Sequence, residues 1–212
     1  MSSTFSRRSF VFALLALSGF ALASAAQAGQ WTSEATKLTE QDLAILPTFC
    51  RENVSLKKSK NRDAQAQFNR RYGASNGSMH HYCFGLKAMN LAYRDYRDAT
   101  RRQYFSTQAV GEFNYVLNAA EPEFFLRPDL LIQRGRALTL SRSYEDARES
   151  FEEALKLSPK SVDAWVSLSD MYSQIGKNPE AIKVLEQAIE VTGSEHKKIK
   201  VRLDDLKKKQ PR

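Results

Sequence analysis

The chain has 212 residues, room for one large domain or two small ones, and 32 Lys and Arg against 24 Asp and Glu leave it at +8. The basic excess is concentrated in two short stretches. That pattern suits local contact with anionic surfaces and speaks against a nucleic-acid-binding protein.

The first element is an export signal. Arg7 and Arg8 precede an apolar run from Phe10 to about Ala23, and Ala26-Gln27-Ala28 supplies a small-x-small cleavage site. The run is shorter than the ~18 residues of a spanning helix, so residues 1–28 are expected to be removed. Ser6, Arg7, Arg8 and Phe10 resemble the bacterial twin-arginine signal; Val11 and Phe12 depart from it. The expected destination is the periplasm or beyond, as a soluble protein. The mature chain keeps 30 basic and 24 acidic residues, +6. Residues 51–71 hold seven basic and two acidic residues, and 196–212 hold eight and two.

Residues 29–77 read as an irregular helical segment. Thr39 is placed to cap a helix, with Asp42 reaching back to close a capping box. Pro47 permits a break or a new first turn. Residues 62–73 form a short polar helix closed by Gly73, and 73–78 a loop.

The next three elements are one motif repeated. "SYEDARESFEEALKLSP" (143–159) and "KNPEAIKVLEQAIEVTG" (177–193) align at an offset of 34 residues, matching Ala147 to Ala181, Phe151 to Leu185 and Ala154 to Ala188. One copy, 128–161, supplies Gly135, Ala147, Phe151 and Pro159. The other, 162–195, supplies Trp165, Leu168, Tyr172 and Ala181. A 34-residue period with these residues resembles the tetratricopeptide repeat (TPR). An earlier copy fits 78–127, with Gly85, Ala109 and Phe113 in the corresponding places. Gly85 and Ala109 are 24 residues apart, against 12 for Gly135 and Ala147. With no Pro or Gly between Leu86 and Val110, the excess predicts longer helices, about 78–97 and 100–119. In 196–212, Ile199, Leu203 and Leu206 share one helical face backed by lysines, as a solenoid's capping helix requires. The fold class is therefore all-α, a solenoid of helical hairpins.

The resemblance implies a groove lined by the first helix of each repeat. By register its residues are Tyr82, Leu86 and Met89, then Ile132, Arg136 and Thr139, then Val166, Asp170 and Ser173. Family members that clamp a C-terminal carboxylate use Lys and Asn at such places; Ile132/Arg136 and Val166/Asp170 depart from that pattern. Arg136 is the one cation among the nine. It either grips a partner carboxylate or pairs with Asp170.

Cys50 and Cys83 are the only cysteines. In an exported chain they are expected to pair. Closing their 33-residue loop is worth about 3–4 kcal/mol in the chain-entropy model. The alternative is a redox or metal site built on Cys50, His80 and Cys83, since His80 and Cys83 are i, i+3. Against it, there is one cluster, no second ligand pair and no Cys-x-x-Cys.

No phosphate-binding glycine loop, Gly-x-Ser-x-Gly or His-Glu-x-x-His occurs, and Glu152 and Glu153 read as a solvated helix face. The expectation is a non-enzymatic adaptor without cofactor or metal, whose partner is another protein or peptide segment. The basic stretches add peripheral contact with an anionic membrane surface as a further option.

Overall fold

The computed structural model describes residues 25–59, 61–72, 78–193 and 196–209. The expected signal lies outside these as far as residue 24, and so do Gly73 and the loop 73–77. Among the described residues there are eleven helices and no strand. They are α1 (Ala25–Thr36), α2 (Glu40–Ile45), α3 (Thr48–Ser59), α4 (Arg62–Tyr72), α5 (Met79–Arg94), α6 (Ala99–Ala119), α7 (Arg127–Leu140), α8 (Tyr144–Leu157), α9 (Val162–Gln174), α10 (Asn178–Thr192) and α11 (Lys197–Lys208). No described helix is long and apolar enough to cross a membrane.

Three hairpins, α5–α6, α7–α8 and α9–α10, stack in chain order, so that α5, α7 and α9 are neighbours along one side and α11 packs on α9 and α10. The 34-residue register extends to the turns. Ser143 N–H donates to Leu138 C=O, and Lys177 N–H to Tyr172 C=O, both at 2.9 Å. The residue before each donor is left-handed, Arg142 at φ 65° and Gly176 at φ 77°. Glycine takes that conformation freely, whereas arginine is held in it against its own preference. Helix starts follow local chemistry too. Pro128 stands in the first turn of α7, and Ser161 caps α9 by accepting from Ala164 N–H.

Gly135 is small because Phe151 lies on it; a Cβ there would stand 2.5 Å from the ring. Gly85 and Phe113 repeat the contact at the same 2.5 Å, which identifies α5–α6 as a copy of the same hairpin. In the last copy Ser169 takes the glycine's place, fully buried, and satisfies its hydroxyl on Ala181 C=O at 2.9 Å. The twelve extra residues of the first hairpin are four in α5, seven in α6 and one in the connection. Asp98 caps α6 by accepting from Arg101 N–H. α5 ends at Arg94, earlier than the expected 97.

The lengthened tip needs a cover, and α1 is that cover. Its Trp31 ring packs edge-on to Tyr104 at 5.0 Å and lies near Phe105 and the Arg101 guanidinium. Arg94 and Arg101 each bridge Glu34 of α1 to Asp95 of the tip, at 2.7–3.0 Å. The sequence marks no helix boundary here. α1 starts ahead of Ala28, so its first four residues lie on the signal side of the expected cleavage.

α2 and α3 are fastened to α5 at three points. Cys50 and Cys83 are bonded, with Cα atoms 5.7 Å apart. Phe49 stacks on Tyr82 at 5.3 Å. The buried Lys87 ammonium donates to Lys37 C=O at 2.6 Å and to the Asp42 carboxylate at 2.8 Å. Asp42 also closes the capping box on Thr39. At the other end Ile199, Leu203 and Leu206 are buried, as expected of a cap.

Candidate partner-binding groove

The first helices of the three hairpins present side chains to a common concave face. Two hollows run along it. One, of about 380 Å3, lies between the Ile45–Leu46–Pro47 turn, α5 and α7. The other, of about 430 Å3, lies between α7, α9 and α11. Tyr93 and Arg136 border both, so the two join into one trough.

Of the nine residues assigned to the groove, Tyr82, Leu86 and Met89 line the first hollow, Thr139, Val166 and Asp170 the second, and Arg136 both. Ile132 borders neither hollow and is buried in the core. Ser173 borders neither as well; its hydroxyl donates to the Asn178 side chain at 3.3 Å.

Of the two roles open to Arg136, the pairing with Asp170 is not made. The Arg136 Nε donates to Ser167 Oγ at 2.9 Å, and Ser167 in turn donates to Asp163 C=O at 2.7 Å. Asp170 is taken by Arg202 of α11, with Nε 2.8 and 3.0 Å from its two oxygens. One turn earlier on α11, Lys198 reaches Asp163 at 3.0 Å, and this ammonium holds the Asp163 carboxyl below its ordinary value against the opposing pull of burial. Two of the trough's carboxylates are thus neutralised by the cap. Among the described residues Arg136 forms no ion pair within 4 Å. The half-buried Asp129 borders the first hollow; burial pushes its carboxyl up, while Arg136 and a Gln133 hydrogen bond pull it back.

Sequence reasoning missed both walls of this trough. Lys198 and Arg202 are i, i+4 on α11 and so share a face. That face was legible, but its orientation toward α9 is set by how the cap docks. Ile45 and Tyr93 were also missed; they stand 72% and 51% exposed, an unusual state for large apolar side chains lining a hollow.

The His-Cys cluster resolves into separate contacts. The two sulfurs bond each other. His81 Nδ1 lies 2.6 Å from the Glu112 carboxylate, and its ring stacks on Tyr115 at 3.9 Å. His80 packs edge-on to Phe84. Among the described residues no three His, Cys, Asp or Glu side chains converge as a metal site requires. A metal held by Cys50, His80 and Cys83 would need both sulfurs as thiolates, and here they are bonded to each other.

Residues 138–199 match the model of the tetratricopeptide repeat family, from within α7 into α11. Over this part, less than a third of its length, the chain is similar to TPR proteins. The match covers most of the two repeats assigned to 128–161 and 162–195; the contact of Phe113 on Gly85 extends the TPR array one hairpin toward the N-terminus. No curated protein matches the sequence.

Proposed function

We propose that the protein is a non-enzymatic adaptor, exported to the periplasm or beyond, that holds a segment of a partner protein in the concave trough. TPR arrays mediate protein–protein interaction, and a curved array offers an extended inner surface for it. One observation carries the choice of face: where the two hollows meet, an exposed tyrosine stands beside a guanidinium that makes no ion pair among the described residues. A chain segment laid there would cover the first and engage the second. The signal-like residues 1–28 and the Cys50–Cys83 bond support an oxidising destination.

Site-specific photo-crosslinking tests this reading. A crosslinking residue at Tyr93, inside the trough, should capture a partner in cells. One at the exposed Leu157 of the outer helix α8 should not. Capture from Leu157 alone would move the site to the outer face. Recovery of mature protein with Gly29 at its N-terminus from the periplasmic fraction would support the location, and cytoplasmic retention of the full chain would refute it.

A further inference from the structure

We propose that the trough selects an extended segment of about seven residues, with an apolar side chain against Ile45 and Tyr93 and a carboxylate about three residues away on Arg136. The proposal rests on reading the concave face as the partner site, and it names the chemistry that the face would recognise.

Length comes from the walls. The Ile45–Leu46–Pro47 turn closes one end and α11 the other, with α5, α7 and α9 as the floor. Packed helices lie 8–10 Å apart, so about 25 Å separates the walls. At 3.3–3.6 Å per extended residue that distance holds about seven residues. The first wall is fixed, because Cys50, three residues past Pro47, is bonded to Cys83 on the floor helix.

Charge comes from what the cap leaves over. Asp163 and Asp170 are occupied by Lys198 and Arg202. Arg136 borders both hollows, and among the described residues its guanidinium is bound only by Ser167, at Nε. A guanidinium presents a planar fork that a carboxylate matches with two parallel hydrogen bonds. Asp129 is the competing group. Burial pushes its carboxyl up and Gln133 already donates to it, so it is the poorer anchor for a cation. The apolar requirement comes from Ile45, 72% exposed, and Tyr93, 51% exposed, on the α5 side of Arg136. One interhelical spacing from α5 to α7 is about three extended residues.

The test is selection of displayed random seven-residue peptides on the intact chain. Affinities of the enriched peptides would then be measured against wild type, Arg136→Gln, Arg136→Lys and Ile45→Ser, each checked for an unchanged melting profile. Enriched peptides should pair an apolar residue with Asp or Glu about three positions away. Arg136→Gln should weaken them at least tenfold, and their Gln-for-Glu counterparts should lose little further on the variant. Arg136→Lys should restore part of the loss, and Ile45→Ser should weaken the acidic and amide peptides alike. Groove-dependent peptides carrying Lys or Arg in the acidic place would overturn the carboxylate assignment while leaving the concave face in position. Peptides indifferent to all three substitutions, or no enrichment at all, would overturn the concave-face reading and the proposal together.

Discussion

Phe113 lies so close over Gly85 that a Cβ on that glycine would come within 2.5 Å of the ring, and both residues are buried. Phe151 and Gly135 repeat the relationship. Gly85→Ala and Gly135→Ala should each destabilise by about 1–2 kcal/mol: overpacking costs about 1–3 kcal/mol, and the better helix propensity of alanine returns up to about 1 kcal/mol. Gly111, exposed in α6 with open space where its Cβ would go, is the control. Gly111→Ala should stabilise by about 0.5–1 kcal/mol. Urea denaturation of the three variants measures this, and a stabilised Gly85→Ala would remove the argument that the first hairpin packs as a repeat.

The Cys50–Cys83 bond closes a 33-residue separation and holds α2–α3 on α5. Reduction, or Cys50→Ala with Cys83→Ala, should cost about 3–4 kcal/mol through the unfolded state. Hydrogen exchange should rise first in α2 and α3, ahead of the repeats, because what then holds them on α5 is Lys87, the Phe49 stack and a small apolar cluster of Leu43 and Leu46 with Leu86. Non-reducing peptide mapping should find no free thiol in protein recovered from an oxidising compartment; two free thiols would contradict the pairing.

Arg94, and after the opposing pull of burial Arg101, holds the Asp95 carboxyl down to about 2 from the ordinary 3.8. A carboxyl depressed in the folded state stabilises above its unfolded pKa, and the benefit is lost as pH falls through the folded value. The cluster joining α1 to the hairpin tip should therefore weaken between about pH 4 and pH 2. Over that window the melting temperature of Asp95→Asn should fall less steeply than that of the wild type. Parallel curves would show that the cluster contributes nothing.

The cap separates apolar from charged contributions. Leu203 and Leu206 are buried under α9 and α10, whereas Lys207 meets Glu186 at 2.9 Å with both about half exposed. Leu203→Ser with Leu206→Ser should cost about 2–5 kcal/mol. Neutralising Lys207, Lys208 and Lys209 should change stability by less than about 1 kcal/mol, the range of an exposed ion pair. Equal shifts in melting temperature would refute the division.

The repeat was legible because its determinants are local and periodic. An offset of 34 residues fixed Gly135, Phe151 and Ser169, and the same small-and-aromatic pair then located Gly85 and Phe113. The capping box of Thr39 and Asp42 was legible for the same reason: both partners lie within one turn. Contacts between distant elements were not. α1 buries only Trp31 and Ala35, an i, i+4 pair too sparse to announce a helix. The pairing of Asp170 with Arg202 instead of Arg136 depends on the angle at which α11 docks, and that angle is set by how Ile199, Leu203 and Leu206 bury against α9 and α10. Ile132 shows the limit of register: assigned to the groove by position, it turns into the core, 4% exposed.

Hydrogen exchange of the whole chain, free and saturated with the partner segment captured from Tyr93, tests the concave-face reading most directly. Slowed exchange should fall on α5, α7 and α9 and at the Ile45–Pro47 turn, with α6, α8 and α10 unchanged. Protection confined to α6, α8 and α10, with the trough helices exchanging as before, would contradict it.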